Sequence, residues 1–182
     1  MSRNTTTHAL RLVLLLGAAA AASCAQVEAD VPEANVTQMG VKFRGVSGWG
    51  SWSDDVAATQ SFTLSSTNLS WVKDLNAKVY ITQIDLKAAS GVEDLSFIHH
   101  AHVTMADAEK RWSAVTVVDY ARPEKQGPTP VLNVKTPYPV DISQVWQADK
   151  VMVSISVAGD LPSKGWSVDV VLHLSGKLSY KL

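Results

Sequence analysis

Histidines and tryptophans are the residues here whose types and spacing point to chemistry. In "FIHHAHVTM" (97–105), His100 and His102 are two apart. On a strand, positions i and i+2 project from one face, so two imidazoles placed this way can share a metal ion. Zinc or copper would suit such nitrogen ligands. His173 is a candidate third ligand if its strand neighbours theirs. The plainer reading is a polar strand face that happens to use histidine. No carboxylate or cysteine completes the set at a diagnostic spacing.

A second group lies in "SGWGSWSDDV" (47–56), where Trp49 and Trp52 sit among glycines and serines ahead of Asp54 and Asp55. Indoles stack on the apolar face of a sugar ring, and carboxylates accept hydrogen bonds from its hydroxyls. This group would make a carbohydrate-binding module. The alternative is that the tryptophans cap one end of the fold and the aspartates are turn residues.

Other chemistries find little support. Adjacent carboxylates such as Asp54 and Asp55 would point apart on an extended chain, whereas glycoside hydrolysis needs two acids facing across a cleft. There is no G-x-S-x-G, H-E-x-x-H or glycine-rich phosphate loop. A non-enzymatic role is the expectation. The formal net charge of −1 comes with no basic run, so nucleic acid is not an expected partner.

The elements that must position these residues read as strands. "VMVSISV" (151–157) alternates, with Val151, Val153, Ile155 and Val157 on one face. "WSVDVVLHLSGKLSYKL" (166–182) keeps one phase from Trp166 to Leu182. One long strand bent at Gly176 explains that better than a hairpin at Ser175-Gly176. "AKVYITQIDLKAAS" (77–90) changes phase near Thr82-Gln83, as a β-bulge would produce. Further strands are predicted at 40–46, 59–64, 97–105, 112–120 and 130–135, with helical turns at 69–75 and 141–148. Trp71, Trp112, Trp146 and Trp166 are expected as core. About eight strands with few helices predict an all-β fold, a single antiparallel β-sandwich. It would occupy residues 39–182.

The N-terminal residues read as a leader. Arg3 and Arg11 precede or flank an apolar block, Leu12–Leu16, continued by Gly17 and alanines. That run suits a secretory h-region and is too short for a spanning helix. The chain's one cysteine, Cys24, stands where the run ends. Ala21, Ala22, Ser23 and Cys24 resemble the bacterial lipoprotein signal, in which a small-residue stretch ends in a cysteine that is lipidated and becomes the new N-terminus. Alanine stands at position 21 where that signal usually has leucine. The resemblance covers the leader alone. It implies a signal peptide at 1–23 and a lipid on Cys24 that anchors the domain to a membrane. Ala25, in place of aspartate after the cysteine, implies the outer membrane.

A lone cysteine at the export boundary fits this better than a disulfide would. The competing route is peptidase cleavage after Ala25, giving a soluble secreted or periplasmic protein. Removing Arg3 and Arg11 leaves 14 basic against 17 acidic side chains, so the lipid alone would hold the membrane. Residues 24–38, with Glu28, Asp30, Pro32 and Glu33, read as a flexible tether. The expectation is a lipid-anchored envelope protein whose role is binding or structural, with an envelope protein or glycan as partner.

Overall fold

The computed structural model describes residues 26–46, 56–65, 77–123 and 127–181. Eight strands run in chain order: β1 (Gln26–Phe43), β2 (Val56–Ser65), β3 (Lys78–Ser90), β4 (Ile98–Asp107), β5 (Val115–Ala121), β6 (Val131–Asp141), β7 (Lys150–Gly159) and β8 (Trp166–Lys181). Among the described residues one short helix, α1 (Ser143–Trp146), precedes β7. All pairings are antiparallel. One sheet, sheet A, has the order β1-β8-β3-β6, and the other, sheet B, has the order β2-β7-β4-β5. This is the expected β-sandwich. The strand order is that of an eight-stranded jelly roll, in which two Greek keys divide between two sheets.

Alternation fills the core. Val151, Val153, Ile155 and Val157 of β7 are all buried, as are Val168, Val170, Leu172 and Leu174 of β8. Their partners include Ile81, Ile84 and Leu86 from β3 and Val103 and Met105 from β4. Trp166 stacks on Phe43 with centroids 4.4 Å apart, and Phe97 meets it edge-on. Trp146 is fully buried, whereas Trp112 is 43% exposed and is not core. Trp71 lies outside the described residues.

The phase change in β3 is a bulge. Its register slips between Ile81 and Gln83 against both β8 and β6. Ile81 and Ile84 thereby both reach the core, and Gln83 and Asp85 turn outward. β8 is one strand through Gly176, which lies between Val31 of β1 and Val79 of β3.

The expected tether is not one. Residues 26–38 are the first part of β1, paired with β8 from Gln26↔Lys181 onward. Pro32 obscures this in the sequence. It falls at a register shift between Val31 and Ala34, on a strand at the edge of its sheet, where a missing N–H costs no ladder bond. The sandwich therefore begins at Gln26 rather than at 39.

Candidate functional site

His100 and His102 stand together on the outer face of sheet B. Both are exposed, and Ala101, Val103 and Met105 between and beyond them are buried. β5 places Asp119 directly opposite His102, with Nδ1 4.0 Å from the carboxylate. His99 is the extra residue of a bulge between Ile98 and His100. The bulge turns Ile98 into the core, against the outward position its spacing gives, and leaves His99 half-exposed, 3.4 Å from Asp160.

His173 is on β8, in the middle of sheet A. It therefore projects from the opposite outer face of the sandwich and does not join His100 and His102. Its partner is local. Nε2 donates to Asp85 Oδ2 at 2.9 Å, and Gln83 Nε2 donates to Asp85 Oδ1 at 2.6 Å. The β3 bulge makes this possible, since it brings both Gln83 and Asp85 to the outer face. Among the described residues no group of three or more histidines, cysteines and acids is placed to hold a metal ion. Cys24 and the Trp49, Trp52, Asp54, Asp55 group lie outside the described residues.

A concavity that sequence reading missed lies on the outer face of sheet A. It encloses about 360 Å³ and is lined by Asp30, Val31, Tyr80, Pro139, Ser175, Gly176 and Lys177. Four of these positions follow from strand register. Asp30 of β1 faces Lys177 of β8, and Ser175 of β8 faces Tyr80 of β3. All four point away from the core, because Leu174 and Leu178 of the alternate phase point into it.

One wall comes from β6. Its residues Thr136 to Pro139 stand opposite the single residue Thr82, since Lys135 pairs with Gln83 and Val140 with Ile81. The arm is braced by Pro137 and Pro139. Thr136 Oγ1 also donates to the Thr82 carbonyl at 3.1 Å. Tyr138, at its tip, is 79% exposed. Thr-Pro-Tyr-Pro was the one visible signal: two prolines in a strand demand a bulge or an edge, and β6 has both.

The cleft is chemically mixed. Tyr80 and Pro139 supply apolar surface. Asp30, Lys177 and Ser175 supply an acceptor, a donor and a hydroxyl that is both. Among the described residues, none holds the Asp30 or Lys177 side chain by a hydrogen bond or ion pair.

The strongest electrostatic feature is elsewhere and is structural. Asp107, at the end of β4, has a side chain only 1% exposed. It accepts from the backbone N–H of Glu109 at 2.9 Å and of Arg111 at 3.2 Å, and from Arg111 Nε at 2.6 Å. The Arg111 guanidinium holds its carboxyl below the usual carboxylate range. This clamp fixes the turn after β4, where Lys110 adopts a positive φ of 58°.

No protein-family model matches the chain, and no curated protein does. Among solved structures, it is similar to the decameric BFDV capsid protein, with 10% identity and a TM-score of 0.37 over 85% of this chain and 99% of that one. It is also similar to the family 32 carbohydrate-binding module of C. perfringens NanJ, solved with galactose, with 10% identity and a TM-score of 0.29 over 78% of this chain and 99% of that one. The β-sandwich assignment rests on the two sheets themselves.

Proposed function

We propose that this chain is an exported β-sandwich protein, lipid-anchored through Cys24 at the bacterial cell envelope, with a non-catalytic binding role. The observation that carries the binding role is the sheet A cleft, with apolar walls and, at its rim, a carboxylate and an ammonium that no other described residue engages. Pockets of this size, with a few polar groups on an apolar lining, are the usual form of small-ligand sites. The anchor rests on the lipoprotein-like stretch ending at Cys24. The outer membrane is the proposed location, and an envelope protein or glycan the proposed partner.

The start of β1 sharpens the anchored reading. Gln26 is already paired with Lys181, two residues beyond Cys24. A lipid there would seat the domain directly on the bilayer, with the Gln26 end of β1 at the headgroups. At about 3.3 Å per strand residue, Asp30 would lie within ~20 Å of the anchor. Several acyl chains, each contributing about 0.8 kcal/mol per buried methylene, would suffice to hold it.

Fractionation of the native host tests this. Wild type is expected with membranes, and Cys24→Ser in the soluble fraction. Equal distribution of the two would contradict the anchor.

A second reading is favoured by one observation, the exposure of His100 and His102 side by side on the outer face of sheet B, where the two imidazoles alone would hold zinc or copper. Copurified metal, lost in His100→Ala plus His102→Ala, would support it.

A further inference from the structure

We infer that the cleft on the outer face of sheet A is a saccharide site, with Asp30, Ser175 and Lys177 reading ring hydroxyls and Tyr80 covering a C–H face. This rests on the reading of that cleft as a binding site and is independent of the lipid anchor.

Asp30 and Lys177 face each other in register, both outward and both exposed, and neither is engaged by another described residue. An anionic ligand would be attracted by Lys177, with Lys78 beside it, but repelled by Asp30; a cation would meet the reverse. A purely apolar ligand would bury both charges without partners, which is costly. A neutral polyhydroxylated ring avoids all three problems, because each hydroxyl both donates and accepts. It can donate to the Asp30 carboxylate and accept from the Lys177 ammonium, and charge-assisted hydrogen bonds of this type are the stronger ones.

The remaining lining fits the other half of a sugar. A pyranose carries a patch of C–H groups on one face. Tyr80 and Pro139 offer apolar surface to it, and the aromatic ring can lie against it. The volume of about 360 Å³ accommodates one or two rings. A bound peptide strand would need an open sheet edge, and this cleft opens on a face, across β1, β8, β3 and β6.

The test uses the full chain in a detergent without a sugar headgroup. Lactose, cellotriose, maltotriose and chitotriose are titrated by calorimetry and saturation-transfer NMR. Lactose is also presented as lactosylceramide in phosphatidylcholine vesicles, which separates a free glycan from a glycolipid headgroup. The expected result is binding of at least one probe with a Kd of about 1 mM or tighter. Asp30→Ala should weaken it about tenfold or more, and Ser175→Trp, which fills the cleft, should abolish it. Unchanged thermal melting of Asp30→Ala shows that the fold is intact. Binding by no probe, or binding untouched by both variants, overturns the inference. Sugar binding that Trp49→Ala or Trp52→Ala removes while Asp30→Ala does not would also overturn it. Failure here with Cys24-dependent membrane attachment intact sinks the saccharide and spares the anchor; the reverse pattern does the opposite.

Discussion

Asp30 and Lys177 are direct cross-strand partners of β1 and β8, yet at the rim of the same cleft neither charge is engaged by another described residue. Lys78 of β3 stands on the other side of Lys177 in the same row, and it too is exposed. Groups that contribute little to the fold are available for something else. Asp30→Asn and Lys177→Gln are therefore expected to change stability by less than about 0.5 kcal/mol, the usual range for surface substitutions. Urea denaturation checks this. A loss well above that range would show that the pair serves the fold.

The Asp107 clamp predicts a pH dependence. Its folded-state carboxyl titrates below its unfolded value, because Arg111 and two backbone N–H groups favour the ionised form. Its contribution is present above the unfolded pKa and disappears as pH falls through the lowered folded one. Melting temperature should fall as pH drops below about 4, the ordinary aspartate value. Asp107→Asn should melt lower by several degrees at pH 7 and show a flatter acid limb. Equal acid slopes in the two proteins would refute the clamp.

Gly159 is predicted to be intolerant of any side chain. Its φ is +149°, and a Cβ there would run into the carbonyl oxygen of Phe97 and lie 2.8 Å from the His99 nitrogen. The residue pairs with Val56 of β2 and with Ile98 of β4, at the bulge that turns Ile98 inward. Gly159→Ala should cost about 1–3 kcal/mol, the range for a strained backbone position. Its denaturation midpoint against wild type checks this.

Opposite outer faces separate His173 from His100 and His102. If zinc or copper binds, His102→Ala should weaken it and His173→Ala should leave the affinity unchanged, as read by calorimetry. His173→Ala should act on stability instead, because it removes the donor to Asp85 Oδ2, a part-buried carboxylate. About 1–3 kcal/mol is the expected scale for an acceptor left without that donor.

The core was legible because alternation survives wherever a strand is buried on one face. β7 and β8 show their inward residues in the sequence, and the Thr82-Gln83 phase change gives away the β3 bulge. The cleft was hidden for three reasons. Asp30 sits in a stretch that Pro32 and scattered acids make look like a spacer. Lys177 and Ser175 look like any wet strand face. The wall comes from β6, whose Thr136–Pro139 excursion can be placed against β3 only once strand order is known. Strand order also decided the histidines. Spacing puts His100 and His102 on one face, but nothing local tells that β8 belongs to the other sheet.

The most direct test of the central claim is the intact mass of the mature N-terminal peptide from the host membrane fraction, in wild type and Cys24→Ser. A lipid anchor at Cys24 predicts a chain that begins at Cys24 and carries a diacyl or triacyl adduct, absent from the variant. An unmodified peptide beginning at Gln26 in the soluble fraction would contradict it and make Cys24 part of a discarded leader.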